Sequence, residues 1–372
     1  MYQILHVSTV HIRYDTRIFI KQASSCAELY EHVGLVVADN RGDEIKNNVS
    51  IISSKLFVKK WRHLVNPIIA LILILFSKKY KSKIYHFHDP ELIIVAAFLG
   101  LLIGKNRIII DVHESTHEAI LNKEYIPKLF RKTISAAWNL IELFVVKYFI
   151  HNVVAATPYI QKRFSDISNS ILVSNYPKID DVRYVEKSKS YSTYNICYIG
   201  NINSMRGLFE FLKIWKEIDE GGTFYVIGKF SDYNYERRCK EMNLNNVKYL
   251  GHLSRQEIVA IVSRCSIGIL PFLKGPNHDN AIPNKFFEYM AYGLHVISNE
   301  LPLLKKMSEE LKIPITVDIT NVEASAKVLK HELLGEPHLK GQKLADLVWS
   351  NYNWNIERDK LIALYNTLIA KR

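Results

Sequence analysis

The chain has 372 residues, of which 48% are hydrophobic and 23% charged, and its formal net charge is +12. That length exceeds one ordinary core and predicts two domains, and the composition excludes a disordered or fibrous chain. The four cysteines, Cys26, Cys197, Cys239 and Cys265, have no CxxC or metal-like spacing and read as reduced, mostly buried thiols of a cytosolic protein.

In chain order, the opening MYQILHVSTVHIRYD lacks the basic start and long apolar run of a signal peptide. It reads as a first strand, Gln3–Ser8. Further strands are predicted at Leu35–Ala38, Lys83–Phe87, Arg107–Val112, Val153–Ala156 and Ile171–Val173. Helical periodicity separates them over Ile18–Tyr30, Val58–Lys79, Leu92–Leu102, Lys128–Phe149 and Pro158–Phe164. From Ile45 to His88 the chain carries nine Lys/Arg and no Asp or Glu. Within that stretch LVNPIIALILILF lies between KKWRH and KKYKSK, and it falls short of the ~20 apolar residues a spanning helix needs. Two readings fit: a buried crossover helix with solvated basic ends, or a helix with a basic collar on an anionic membrane face. The second is preferred. No nucleic-acid partner is expected, because no binding motif or aromatic–basic interleaving accompanies the charge.

SNYPKIDDVRYVEKSKSYSTYN is polar and aperiodic, contains Pro177, and is the predicted linker. The alternation then restarts, with strands at Asn195–Ile199, Thr223–Ile227, Val247–Leu250, Ile267–Leu270 and His295–Ser298. The helices between and after them are expected near Gly207–Ile218, Tyr233–Met242, Arg255–Ser263, Lys285–Tyr292 and Val322–Leu334. The closing WNIERDKLIALYNTLIAKR is amphipathic. This pattern predicts an α/β fold of two doubly wound parallel-sheet domains, residues 1–176 and 177–350, facing across a cleft at the carboxyl ends of their strands.

Three strand ends in the first half carry polar clusters. HVSTVHIRYDTRIF supplies His11, Arg13, Asp15 and Arg17; IYHFHDPELI supplies His86, His88, Asp89 and Glu91; IIIDVHEST supplies Asp111, His113 and Glu114. Each alone reads as a satisfied surface cluster, but three at carboxyl ends of parallel strands point to a site. A histidine-rich metal centre is the rival reading. No HExxH and no aspartate pair two apart supports it, so no metal is expected. In the second half, YIGNINSMRGLFEFL ends a strand at Ile199, lets the backbone approach closely at Gly200, and opens a helix at Arg206-Gly207. Arg206 suits a diphosphate. FYVIGKF repeats the arrangement with Gly228 and Lys229. In DNAIPNKFFEYMAYGLHVIS, a loop with Pro283 leads into a helix starting near Asn284, whose free N–H groups suit a phosphate. Glu288, one to two turns on, is placed to accept hydrogen bonds from a ribose diol. Spacing alone also fits an ordinary turn and an ordinary capped helix.

Taken in order, HIRYDTRIFIKQASSCAE, YHFHDPEL, DVHES, SNYP, YIGNINSMRG, IPNKFFEYMAYGLHVIS and YNWNIERDKLIALY span nearly the whole chain. The set resembles glycosyltransferase family 4, the retaining nucleotide-sugar transferases of GT-B fold, and most of all its bacterial surface-polysaccharide branch. The resemblance implies sugar transfer from a nucleotide-sugar donor to a hydroxyl of a polyprenyl-diphosphate-linked glycan, in O-antigen, capsule or exopolysaccharide assembly. It implies a cytoplasmic protein held peripherally at the membrane through the basic 56–83 segment, and a final helix, 351–372, that crosses back to the first domain.

Residue by residue, the resemblance puts Glu288 on the nucleotide ribose and Arg206 on the diphosphate. Lys229 and Lys285 assist, and Gly200, Pro283 and Asn284 complete the donor site. His113 lines the sugar pocket near the anomeric carbon, and Arg17, Lys21, His88 and Asp89 fall on the acceptor side. The family's first glutamate, separated from its second by seven residues, is Asn280 here, which removes a carboxylate near the sugar or phosphates. The implied mechanism is electrostatic stabilisation of a leaving diphosphate, with the acceptor attacking from the side the diphosphate leaves. It needs no cofactor, no metal and no glycosidase-type carboxylate pair. The alternatives are a nucleotide-sugar 2-epimerase of GT-B fold and a non-catalytic partner subunit of a transferase complex.

Overall fold

The computed structural model describes residues 1–54, 62–121, 123, 126–178, 182, 184–186, 195–218, 221–280, 282–312, 315–335 and 341–370. The chain divides into two compact units, Met1–Asn175 with Trp354–Arg372, and Tyr176–Asn353.

The first unit opens with β1 (Tyr2–Val7), a π-helical turn over Thr16–Ala23 and the short α1 (Ser24–Ala27). Then come β2 (Val33–Val37), β3 (Glu44–Lys46), β4 (Val49–Ser53) and α2 (Arg62–Phe76). β5 (Ser82–Phe87), α3 (Ile93–Ile103), β6 (Ile108–Val112), α4 (Thr116–Leu121) and α5 (Lys128–Phe149) follow. β7 (Asn152–Ala155), α6 (Pro158–Phe164) and β8 (Asn169–Leu172) end this run. The eight strands lie in the order β3-β4-β2-β1-β5-β6-β7-β8, all parallel except the β3–β4 pair. Runs such as VGLVV and IIIDV are buried on both sides because both faces of the sheet are covered. Ile74, Leu99, Val146 and Phe164 from α2, α3, α5 and α6 pack on one face. Phe19 and Cys26 from the first helical turns cover the other, with Trp354, Leu361 and Tyr365 from the last helix.

The second unit contains β9 (Ile196–Ile199), α7 (Leu208–Lys216), β10 (Phe224–Ile227), α8 (Tyr233–Lys240) and β11 (Val247–Gly251). It continues with α9 (Arg255–Val262), β12 (Ile267–Leu270), α10 (Pro276–Asp279), α11 (Asn284–Ala291) and β13 (His295–Asn299). α12 (Pro302–Leu311), β14 (Ile315–Val317), α13 (Val322–Leu334) and α14 (Gly341–Asn351) complete it, and α15 (Trp354–Ala370) belongs to the first unit. The six strands are parallel in the order β11-β10-β9-β12-β13-β14.

Several expectations need correction. The predicted helix Ile18–Tyr30 is a wide π turn followed by one α turn. Asp15 accepts the Arg17 and Ile18 N–H groups at 2.8 and 2.9 Å, and its carbonyl accepts Ile20 N–H at 3.1 Å, five residues on. The helix predicted to reach Lys79 stops at Phe76, and Lys78–Tyr80 form a separate 3-10 turn; residues 58–61 of that prediction lie outside the described residues. The polar linker is not wholly solvated: Val182 and Val185 are buried in the second core, and Val185 N–H reaches the Tyr292 carbonyl at 3.4 Å. β3, β4, β14, α4, α10, α12 and α14 were not anticipated.

Each sheet has one place where strand order reverses. In the first it lies between β1 and β5, in the second between β9 and β12. Loops leaving adjacent strands there go to opposite faces and open a crevice, the usual ligand position in such sheets.

Candidate functional site

In the first unit, strand register assembles the polar cluster. His6 on β1 lies directly beside His86 on β5, and His86 beside Ile109 on β6. Two residues further along, on the same side of the pleat, come Ser8, His88 and Asp111. All three histidines and Asp111 are buried. Asp111 accepts from Arg17 at 2.7 and 3.0 Å and from Gln22 Nε2 at 2.6 Å. His113 Nε2 and His88 Nδ1 lie 2.9 and 3.2 Å from it.

Burial by itself would raise the Asp111 carboxyl; the Arg17 charge and the His113 contact overcome it and hold it well below the usual carboxylate range. Burial pushes His88 down to about 3, so its ring is neutral with one proton. Because Asp111 only accepts, that proton sits on Nδ1. His88 Nε2 then accepts from His6 Nδ1 at 3.0 Å, which leaves His6 Nε2 with a bare lone pair. His113 likewise turns its Nε2–H to Asp111. His113 and His11, with ring centroids 5.3 Å apart, are the histidines of the cluster that retain solvent contact.

The acceptor-side residues named from the resemblance are buried here. Arg17 bridges Asp111 and the Val173 carbonyl at 2.8 Å, and Lys21 Nζ donates to the Asn175 side chain and carbonyl at 2.5 and 3.0 Å. Asp89 takes the Thr9 N–H and faces His11 at 3.4 Å, and burial raises its carboxyl. Arg13 turns away to Asp39 and Glu44, at 2.6 and 2.7 Å.

His6, His86 and His88 bring ring nitrogens within 4.8 Å of one another, as do His88, Asp111 and His113 in their ligand atoms. Arg17 already engages both Asp111 oxygens, so a cation there would meet a fixed positive charge. The set that contains Asp111 therefore suits a hydrogen-bond network better than a metal. His6, Gln22 and Tyr365, whose hydroxyl lies 2.6 Å from His86 Nδ1, were missed in the sequence. The alternation His6-x-Ser8 beside His86-x-His88 was the available signal for the first of them.

In the second unit, three segments meet at the β9/β12 crevice. After β9 the chain makes a 3-10 turn, Ser204–Arg206, with the Asn203 side chain accepting Arg206 N–H at 3.1 Å. Gly207 then takes φ +68°, and a Cβ there would stand 1.8 Å from the Pro271 carbonyl oxygen. The turn therefore lies tightly on the loop that leaves β12. Leu273 N–H donates to the Met205 carbonyl at 2.9 Å, and the Arg206 guanidinium stacks 4.1 Å above the Phe272 ring. Arg206 has no ion-pair partner among the described residues, so its charge is held in place and left open.

Close backbone approach involves Gly200 but is required at Gly228: a Cβ on Gly228 would lie 1.8 Å from the Gly200 carbonyl oxygen, whereas one on Gly200 meets only Tyr198 at 3.5 Å. That contact brings Lys229, exposed and without an ion pair among the described residues, beside the same turn, where its carbonyl accepts Ile202 N–H at 2.9 Å.

α11 is fixed by Tyr289, whose buried hydroxyl accepts Ile199 N–H at 2.7 Å and whose ring fills the space over Gly268. Its start has Pro283 as the cap residue and no side-chain cap, so the Asn284 end keeps open N–H groups. Glu288 pairs with Lys285 and is partly exposed. Asn280 closes the short α10 ahead of it.

Residues 193–332 match the family model of group 1 glycosyl transferases. A comparison with curated protein sequences finds no match. Among solved structures, the chain is similar to sucrose-phosphate synthase from Thermosynechococcus elongatus, with TM-score 0.77, 14% identity and 100% of both chains covered. It is also similar to a glycosyltransferase from Rickettsia africae, with TM-score 0.69 and 18% identity over 99% of this chain and 98% of that one. Anabaena HepE, solved with UDP-glucose, gives TM-score 0.67 and 12% identity over 99% of each chain. The fold is thus GT-B, two Rossmann-like parallel-sheet units, and the second unit carries a group 1 glycosyltransferase domain.

Proposed function

We propose that the protein is a retaining glycosyltransferase that moves a sugar from a nucleotide-diphosphate donor to a hydroxyl of a polyprenyl-diphosphate-linked glycan, in assembly of a bacterial surface polysaccharide. The observation that carries the donor side is Arg206, stacked on Phe272 at the β9/β12 crevice with no carboxylate partner among the described residues. A fixed, unneutralised guanidinium suits a pyrophosphate, and so does the uncapped start of α11 in the same unit. HepE, a structural neighbour, was solved with UDP and with UDP-glucose.

In this reading Arg206, Lys229 and the α11 start stabilise charge on the leaving diphosphate, so no metal is required. Glu288, released from Lys285, accepts from the ribose diol. Gly200, Pro283, Asn284 and Lys285 shape the donor site, with Asn280 where the family has a carboxylate. His113 serves the transferred sugar, oriented by Asp111. Arg17, Lys21, His88 and Asp89 support the acceptor side through the groups they hold. The enzyme works in the cytoplasm against the membrane face, with the basic 56–83 segment as its contact.

A thermal-shift panel of UDP, GDP, dTDP and ADP tests the donor reading. A ligand at 100 times its dissociation constant adds ~2.7 kcal/mol of stability. One nucleotide is expected to raise the melting temperature of the wild type and not of Arg206→Glu. No shift with any of them overturns the assignment.

A further inference from the structure

Among the described residues, three helices on one face of the first sheet hold more of the exposed large apolar side chains than all other elements together. Of the twenty-five large apolar side chains exposed among the described residues, fourteen belong to α2, α3 and α5. Scattered apolar side chains are ordinary on a surface, but a contiguous patch marks a face covered in use. This patch is contiguous, because α2 packs against α3 and α3 against α5. On α2 the residues are Ile68, Ile72 and Phe76, spaced four apart, and on α3 Ile94, Phe98 and Leu101. On α5 Ile134, Ile141 and Tyr148 recur every seventh residue. Helical geometry puts each trio on one side of its helix, and all nine side chains are between 42% and 82% exposed. α3, IIVAAFLGLLI, has no polar side chain on either side. A helix apolar all round belongs inside a protein or in lipid. No helix among the described residues is long and apolar enough to cross a membrane.

The charges around the patch select its occupant. Between Arg62 and Ile110 the only acidic residues are Asp89 and Glu91, both buried. Exposed Lys78 and Lys81 follow α2, with Lys79 paired to Asp43, and exposed Lys105 and Arg107 follow α3. The single acid of α5, Glu142, is buried against Arg163 at 2.5 Å, while Lys128, Lys132 and Lys147 are exposed. A two-fold contact with another copy would set these cations against one another. An anionic bilayer takes up the apolar side chains and the cations together.

We propose that α2, α3 and α5 form a single membrane-inserting face that seats the first unit at the headgroup–acyl boundary of an anionic bilayer. It rests on the membrane location proposed above and deepens it. The apolar insertion comes largely from α3 and α5, outside the charged 56–83 segment, and charge alone does not hold the protein there.

The test is flotation of the full chain with vesicles of phosphatidylglycerol and phosphatidylethanolamine. The wild type is expected to bind, and to stay bound at about 0.5 M salt, where surface charges are screened within a few ångströms. Replacing two inserted side chains, Phe98→Ser with Leu101→Ser, is expected to weaken partition by about a hundredfold with unchanged circular dichroism. In Phe98→Trp, which keeps the apolar character, the new fluorescence is expected to be quenched by brominated acyl chains. Three outcomes overturn the proposal: no vesicle binding, binding that vanishes at high salt, and binding that the double variant leaves intact. A dimer in solution that Leu101→Ser disperses, without vesicle binding, assigns the face to a second copy instead. Since flotation needs no turnover, failure of the sugar-transfer reading leaves this result standing, and the reverse holds.

Discussion

The two order-reversal points carry opposite electrostatics in the same topological position. At β1/β5 the polar groups are buried and answer one another: Asp111 is held by Arg17, Gln22, His88 and His113. At β9/β12 the cations stand open, with Arg206 stacked on Phe272 and Lys229 exposed, neither ion-paired among the described residues. A buried network that pairs its charges holds geometry, whereas a fixed cation without a counter-charge is left available to an anion. In the function proposed above, the first unit orients His113 and the second binds the anionic donor.

The largest expected effect breaks that comparison if it fails. Asp111→Ala leaves the Arg17 guanidinium buried without its counter-charge, and removing one partner of a buried pair destabilises by about 3–5 kcal/mol. Urea unfolding measures it. A loss within experimental error, with ligand binding abolished instead, would make the β1/β5 cluster a binding site and not a framework. Next comes Arg206→Ala. It is expected to leave urea stability nearly unchanged, because the group is partly exposed and has no ion pair among the described residues to lose. It should lower kcat/KM for sugar transfer by about a hundredfold, the loss of ~3 kcal/mol of transition-state stabilisation. Phe272→Leu sharpens the point. It keeps the charge and removes the stacking face, worth about 0.5–1 kcal/mol at such a site. A two- to fivefold fall in donor affinity by calorimetry is expected; a fall as large as that of Arg206→Ala would show that Phe272 has a contact of its own.

The same contrast explains what could be read from the sequence. Long, strongly periodic elements such as Lys128–Phe149 and Val322–Leu334 fell where the pattern put them, because burial of one side decides them locally. β3 and β14, of three residues each, give no period to detect, and the two-residue turn between β3 and β4 needs Asn47 and Asn48 at positive φ. The site residues were visible as chemical types at strand ends, but their condition was not. Whether Arg17 is a ligand contact or a buried counter-ion depends on Asp111, ninety-four residues away in the chain. Whether Arg206 is open depends on Phe272, and on Gly207 lying against the Pro271 carbonyl. The need for glycine at Gly228 likewise arises from the neighbouring strand's Gly200 carbonyl, which spacing within one segment does not reveal.

The smallest expected effect concerns His11 and Asp15, at the rim of the first cluster, 3.5 Å apart. Burial opposes a charge on His11, but the Asp15 hydrogen bond and the Asp89 charge outweigh it and raise its pKa above the ordinary 6.5. Burial also works against the Asp15 carboxylate, and His11 with the Ile18 and Arg17 N–H groups overcomes it, lowering it from 3.8 to about 2. A raised histidine pKa contributes stability that is fully present below 6.5 and lost as pH rises through the folded-state value. A lowered carboxyl contributes stability present above 3.8 and lost as pH falls toward about 2. The pair is intact only between those limits. Asp15→Asn should therefore cost most, relative to wild type, between about pH 4 and 6.5, as read by melting temperature across a pH series. Above that window a smaller difference should persist, because Asp15 still caps the π turn through two N–H groups. A difference that keeps growing above pH 7 would mean that His11 is neutral in the fold, and that the rim, like the buried core beneath it, holds its geometry without charging a histidine.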